Sequence, residues 1–340
     1  MVDRARIQRI HAGSVFADVH AHPSRFHRDN LPRVMDDEIA RYREGLIDVV
    51  VCSISTDAIY GGGYVLRDGT RVETRQYRPR AGEVFEFTRD RFERILKTVE
   101  EGAAALATSP RAVLEAKTEG KLALLPALEG GDGLEGSLEN LRELHRQGLR
   151  LLQLVHFRAN EIGHVQTHPY SPGGLTDFGR EAVREANRLG ILVDLAHANS
   201  ETILDTLSLS RHPALFSHTG AKALRDGDRY LTDDEIRAIG SRGGLIGIWP
   251  NGEIPRIETM VEHVDHVRRL VGVEHVGIGS DLRGIRSYTA EFGEDANFLA
   301  IAEALLEHGF TDDEVGLVMG GNFFRLWRKT VDSLQSTVYS

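Results

Sequence analysis

The chain has 340 residues, 41% hydrophobic and 27% charged, with a net charge of −10. That profile holds enough apolar material for a large core. With no Lys/Arg block it argues against a nucleic-acid or anionic-membrane partner. The single cysteine, Cys52, excludes an intrachain disulfide and reads as a small buried hydrophobe. The N-terminal run MVDRARIQRIHAG lacks the apolar stretch of a secretory signal, and no run is long enough to cross a bilayer. The cytoplasm, with no membrane association, is therefore the expected location.

The first apolar run, Val15–His20, ends in the triplet His20-Ala21-His22. The second is Ile47–Ile54. An insertion at about residues 60–87 follows, in which the Asp68-Gly69 turn between alternating residues predicts a β-hairpin within Tyr60–Arg80. Helical stretches are predicted over Thr88–Ala107 and Pro110–Thr118. The third run, Leu122–Leu128, leads into Glu129, Gly130 and Gly131, and Leu138, Leu141 and Leu144 then keep helical spacing. The fourth run, Arg150–His156, carries His156 at its end; Phe178, Ala182, Val183 and Ala186 mark the next helix. Runs Leu192–Ala196 and Ala214–Ser217 are followed at once by His197 and His218. Thr232–Glu235 and Thr311–Glu314 both read TDDE, a capping box that starts a helix. After the run Leu245–Trp249, a helix through Ile257, Met260, Val261, Val264 and Val271 carries His263 and His266, which are expected on its solvated face. The last run, His275–Gly279, precedes Asp281, and a second insertion spans Ile285–Glu294.

Each run is short and apolar on both faces, as a strand inside a parallel sheet should be. Parallel strands need crossover helices, so eight strand–helix repeats predict a (β/α)8 TIM barrel of the metal-dependent hydrolase type, one catalytic domain over residues 1–340. Essentially every known active site in this fold lies at the C-terminal ends of the strands. Taken singly, each candidate has a plainer reading: a packed histidine pair, an acidic residue before a Gly-Gly turn, an aspartate capping a turn. Taken together, five of the 15 histidines fall at predicted strand ends with Glu129 and Asp281. Imidazole and carboxylate are ligands for a Zn2+-like ion, and His-x-His on a strand points both rings the same way.

The segments LEGG around Glu129, GLTDFGREAVREANRLGILVDLAHAN up to His197, ALFSHT around His218, HVGIGSD before Asp281 and the closing GGNFFRLW resemble the membrane (renal) dipeptidase family of the amidohydrolase superfamily. The likeness runs from about Val15 to Trp327, in family order. It implies two divalent ions, Zn2+ by expectation, with Glu129 bridging them, His20 on one, and His197 and His218 on the other. It further implies that His156 steadies the oxyanion, that Arg229 holds the substrate carboxylate and that Asp281 is the acid/base. One departure is His22, which stands where the family usually has aspartate and joins the ligand set as His-x-His, with Asp281 as a further ligand candidate. The segments PSRFHRD after His22 and Leu282-Arg283 after Asp281 also differ, and both are expected to face the pocket. The implied reaction is hydrolysis of an amide in a dipeptide or small N-acyl amino acid by a metal-activated bridging hydroxide. A superfamily hydrolase of a cyclic amide or lactone, and an inactive ligand-binding barrel, are the alternatives. The expected partner is a small-molecule substrate, and the likeness is compatible with a homodimer.

Overall fold

All eight apolar runs contain a strand in the computed structural model, which describes residues 4–25, 31–61, 64–67, 70–73, 77–167 and 172–337. Strands β1 (Ala17–Ala21) and β2 (Val49–Ser55) come first. Strands β3 (Tyr64–Arg67) and β4 (Thr70–Glu73) pair antiparallel as the expected hairpin, whose turn at residues 68–69 lies outside the described residues. A short β5 (Ala105–Leu106) precedes β6 (Ala123–Glu129), β7 (Leu151–Gln153), β8 (Leu192–Asp194), β9 (Leu215–Thr219), β10 (Leu245–Ile248) and β11 (Val276–Ile278). The main sheet runs β1-β2-β6-β7-β8-β9-β10-β11 with parallel neighbours. It closes on itself just beyond β11, where Asp281 N donates to His20 O and His22 N donates to Leu282 O, both at 2.9 Å. Helices alternate with the barrel strands, which makes this a (β/α)8 barrel.

Side-chain parity sorts the strands into two layers. Val49 and Val51 of β2 share a buried cluster with Leu125, Leu151, Leu192, Leu215 and Leu245, packed onto Phe323 and Trp327 of the helix Asn322–Thr337. The alternate residues Val50, Cys52 and Ile54 pack with Tyr42, Phe92 and Ile95 of the surrounding helices. The first set is the barrel interior and the second its outer face, because neighbours in a strand point to opposite sides. Continuing the inward set towards the strand tails reaches Ser53, Ser55, Glu129, Gln153, Asp194 and Ser217. The interior is thus apolar at its floor and polar at its mouth.

Two registers break this parity. Three residue steps in β1 (Asp18 to Ala21) lie against two in β2 (Val50 to Cys52). Likewise three steps in β9 (Phe216 to Thr219) lie against two in β10 (Ile246 to Ile248). One extra residue bends a strand and re-aims its side chains. These bulges let His20 face inward although Val19 does, and His218 although Ser217 does.

The helices follow their sequence signals closely. Both TDDE runs form full capping boxes, with Thr232 and Thr311 accepting from Glu235 N and Glu314 N. The helix predicted at Thr88–Ala107 instead spans Glu83–Glu100. Gly102 follows at φ 76°, a left-handed backbone that ends the helix, and Ala105–Leu106 then pairs with β6.

His263 does not lie on a solvated face. It is buried, 1% exposed, and its Nδ1 accepts Ala221 N at 2.9 Å, fixing the loop that leads from β9 to Arg229. His266 is partly buried against Asp233. Burial, with help from the charges of His266 and Arg225, pushes the His263 ring down from 6.5 to about 4. The neutral ring therefore stabilises the fold fully above pH 6.5, and that contribution is lost as pH falls towards 4. Urea unfolding at neutral pH and at about pH 4.5 should show a loss about 2–3 kcal/mol larger in the wild type than in His263→Gln. Equal losses in the two proteins would contradict this.

Candidate metal centre

The strand tails bring seven of the predicted side chains into one buried cluster. Glu129 Oε1 lies 3.2 Å from His20 Nε2, 3.3 Å from His156 Nε2 and 3.7 Å from His197 Nε2. Its Oε2 lies 3.4 Å from His22 Nε2. Asp281 Oδ1 is 3.5 Å from His22 Nε2 and 3.9 Å from His20 Nε2. His218 faces His197, Nε2 to Nε2, at 3.0 Å, and its ring centroid is 4.0 Å from that of His20. Among the described residues three groupings have ligand atoms mutually within 4.8 Å: His20-His22-Asp281, His20-Glu129-His218 and Glu129-His156-His197.

These residues fit divalent ions. A tetrahedron with bonds of 2.0–2.1 Å has edges of about 3.3 Å, close to the separations around Glu129 Oε1. His20 Nε2 is fully buried and has no well-formed hydrogen bond, while its Nδ1 faces Ser53 Oγ at 3.1 Å. His22 Nδ1 is 2.8 Å from Ser53 O, a carbonyl that only accepts, so the proton sits on Nδ1 and Nε2 offers its lone pair to the cluster. Burial first, and the neighbouring cations after it, push His197 and His218 well below the usual imidazole range, which keeps both as neutral ligands. Burial also disfavours a charge on Glu129, but His156, His22 and His20 overcome it and hold the carboxyl well below its usual value. His20 shows the same balance as Glu129 and the reverse of His197 and His218, lifted to about 9 against burial by Glu129, Asp281 and Asp194.

Strand β2 donates none of these ligands, yet it orders most of them. Its register places Ser55 beside Glu129, and Ser55 Oγ donates to Glu129 Oε2 at 2.5 Å. Thr56 Oγ1 donates to Gly130 O at 2.7 Å. Asp57 Oδ1 lies 2.7 Å from His156 Nδ1, and its Oδ2 accepts Phe157 N at 3.2 Å. The run Ser53–Asp57 thus touches His20, His22, Glu129 and His156. From the sequence these residues are assigned no role. The odd-numbered parity of Val49 and Val51 was the available signal for Ser53 and Ser55.

Two glycines make room for the cluster. Gly130 sits at φ 90°, where a side chain is strained, and a Cβ there would be 3.3 Å from His156 Cβ. A Cβ on Gly284 would fall 1.9 Å from Asp281 Oδ1 and 2.7 Å from His22 Cδ2. His197 (φ 69°) and Asp281 (φ 50°) are themselves left-handed, and strained backbone of this kind gathers at functional sites.

A cavity of about 190 Å³ opens onto the cluster, lined among others by His22, Glu129, His156, His197, Arg229 and Asp281. Phe157, Trp249 and Ile285 form its apolar wall, and Ile285 belongs to the second insertion. Arg229 Nη1 donates to Gln166 Oε1 at 3.0 Å, while its buried Nη2 has no hydrogen-bond partner among the described residues. Burial lowers the Arg229 guanidinium to about 10, still charged at neutral pH. Leu282 and Arg283 do not line this cavity, contrary to expectation. Leu282 is fully buried, and Arg283 reaches away to Glu38, Nη2 to Oε2, at 3.2 Å. Of PSRFHRD, Pro23, Ser24 and Arg25 are also absent from the lining, and residues 26–30 lie outside the described residues. Among the described residues no helix is long and apolar enough to cross a membrane.

Comparison with known proteins supplies the lineage. Dipeptidase 3 of Rattus norvegicus is 32% identical over 220 residues, 62% of this chain and 45% of that protein. The chain spans about half the length of the curated relatives it matches. An amidohydrolase from Pseudomonas aeruginosa superposes with TM-score 0.78 at 22% identity, covering 95% of this chain and 98% of that one. A metallopeptidase from Rhodobacter sphaeroides, solved with a phosphinate mimic of the dipeptide L-Ala-D-Ala, has TM-score 0.78 and 22% identity over 93% of this chain and 99% of that chain. At these identities the two structures establish the shared fold. The family model described as Membrane dipeptidase (Peptidase family M19) matches residues 4–338, from the first described helix to the last, and the chain belongs to that family.

Proposed function

We propose that the chain is a binuclear-metal hydrolase that cleaves the amide bond of a dipeptide or small N-acyl amino acid. The observation that carries this reading is the convergence of His20, His156 and His197 on one oxygen of Glu129, with His22 on the other. His20, His22 and Asp281 would hold one ion, His197 and His218 the other, and Glu129 would serve both. When bound, two Zn2+-like ions supply an activated water oxygen and polarise the scissile carbonyl.

The chain's own groups account for the remaining steps. Asp281, on the cavity wall beside His22, takes the proton of the attacking water and returns it to the leaving amine. His156 faces the same space through Nε2 and stabilises the developing oxyanion. The open Nη2 of Arg229 receives the substrate carboxylate, which a planar guanidinium grips with two parallel hydrogen bonds. The cavity size suits a substrate of two small residues, in keeping with the dipeptide mimic held by the Rhodobacter sphaeroides neighbour.

Metal quantification of the purified protein, followed by a hydrolysis screen of the same sample, tests the reading. The panel should hold L,L- and L,D-dipeptides, N-acyl amino acids, lactones and cyclic amides. Two ions per chain with dipeptide turnover supports it; a metal-free protein inactive on the whole panel contradicts it. Turnover confined to lactones or cyclic amides would favour the alternative substrate class, towards which His22 points by removing one negative charge from the ligand set. Arg229→Lys should raise KM about tenfold, roughly 1.4 kcal/mol, for substrates with a free carboxylate. An equal rise for carboxylate-free analogues would contradict its assigned role.

A further inference from the structure

Asp57 touches a site histidine yet belongs to none of the ion-capable groupings. Its position is set by the turn Thr56–Tyr60 that leaves β2, and its side chain is only 8% exposed. The carboxylate grips two consecutive residues at once: Oδ1 meets His156 Nδ1 at 2.7 Å, and Oδ2 accepts Phe157 N at 3.2 Å. Ring and backbone after β7 are therefore fixed together. On the far side of the ring, His156 Nε2 is 3.3 Å from Glu129 Oε1.

We propose that Asp57 is a positioning residue that holds the His156 ring through Nδ1–H, so that Nε2 is the edge turned to the space beside Glu129. A carboxylate accepts through both oxygens, so Nδ1 must donate, and only Nε2 remains to face the reacting groups. The proposal rests on the hydrolytic reading for its catalytic consequence, but its geometric content does not need that reading. Asparagine cannot replace aspartate here. It offers one acceptor and one donor where His156 and Phe157 together need two acceptors. If its oxygen stays with Phe157 N, its NH2 confronts the Nδ1–H donor and the ring loses its anchor. If it turns the other way, it confronts the Phe157 amide with a second donor.

Two readouts test this. The first is histidine side-chain NMR of the metal-free protein, with His156→Gln used only to assign the signal. A His156 Nδ1–H resonance protected from solvent in the wild type and lost in Asp57→Ala is expected; its persistence in that variant would overturn the proposal. The second is steady-state kinetics with a dipeptide at saturating metal. Asp57→Asn should lower kcat by about 10–100-fold, the usual cost of losing such an outer partner. KM should stay within about threefold, and Asp57→Glu, which keeps both acceptors, should recover part of the loss. An Asp57→Asn protein with unchanged kcat would overturn the proposal. So would a loss matched by an equal fall in folded fraction in both the asparagine and glutamate variants. Wild-type protein inactive on all dipeptides would count against the hydrolase reading instead, and the NMR result would still decide the role of Asp57.

Discussion

Glu129→Gln is expected to lower kcat by at least about 10³-fold, roughly 4 kcal/mol of transition-state free energy, and to reduce bound metal below two ions per chain. The carboxylate is 2% exposed and stands within 3.7 Å of four imidazoles. Its two oxygens face different partners, so one side chain serves both halves of the cluster. An amide keeps the shape but loses the charge, and it replaces one oxygen by an NH2 that has no lone pair to offer a cation. Ser55 Oγ, which donates to Oε2, would also meet a donor in one of the two amide orientations. Metal analysis of the variant by mass spectrometry, with kcat on a dipeptide, checks the expectation. Two retained ions with near wild-type turnover would contradict it.

Asp281→Ala should cost about 10³-fold in kcat while leaving more than one ion per chain, since removal of a general acid–base group typically costs 10²–10⁴-fold. Its place at the mouth is over-determined. Asp281 N donates to His20 O, Gly284 N donates to Asp281 O at 2.9 Å, and Gly284 leaves no room for any other side chain beside Oδ1. The left-handed backbone at φ 50° is tolerated by aspartate better than by most residues. Because Asp281 touches only the His20-His22 half, the Glu129-His197-His218 side keeps its donors. Turnover close to wild type, with metal intact, would remove Asp281 from the chemistry.

The barrel was legible in the sequence because a strand buried on both faces must be a continuous apolar run, and the runs ending at His20, Leu128 and His156 all contain strands of the ring. The residues of the buried cluster were legible because imidazoles and carboxylates at strand tails stand out against that apolar background. Three features were hidden for physical reasons. The bulges in β1 and β9 depend on how each strand lies against its neighbour, which no local pattern encodes. The supporting role of Ser53–Asp57 depends on the register of β2 with β6 and on the distance to His156, both tertiary facts. Arg283 was expected in the pocket, but its pairing with the buried Glu38 turns it away, a contact between residues 245 positions apart. His263 is different, because its signal was present. It lies three residues after Met260 and four before Val267, on the apolar stripe of its helix, and the stripe buries it.

A pair of divalent ions is proposed to be gripped at one rim by side chains from the tails of β1, β6, β8 and β9 and from the loop after β11. Anomalous diffraction at the zinc edge from crystals of the metal-loaded protein tests this most directly. The account predicts two peaks flanking the Glu129 carboxylate, one towards His20, His22 and Asp281 and one towards His197 and His218. A single peak, or none within bonding distance of Glu129, would contradict it.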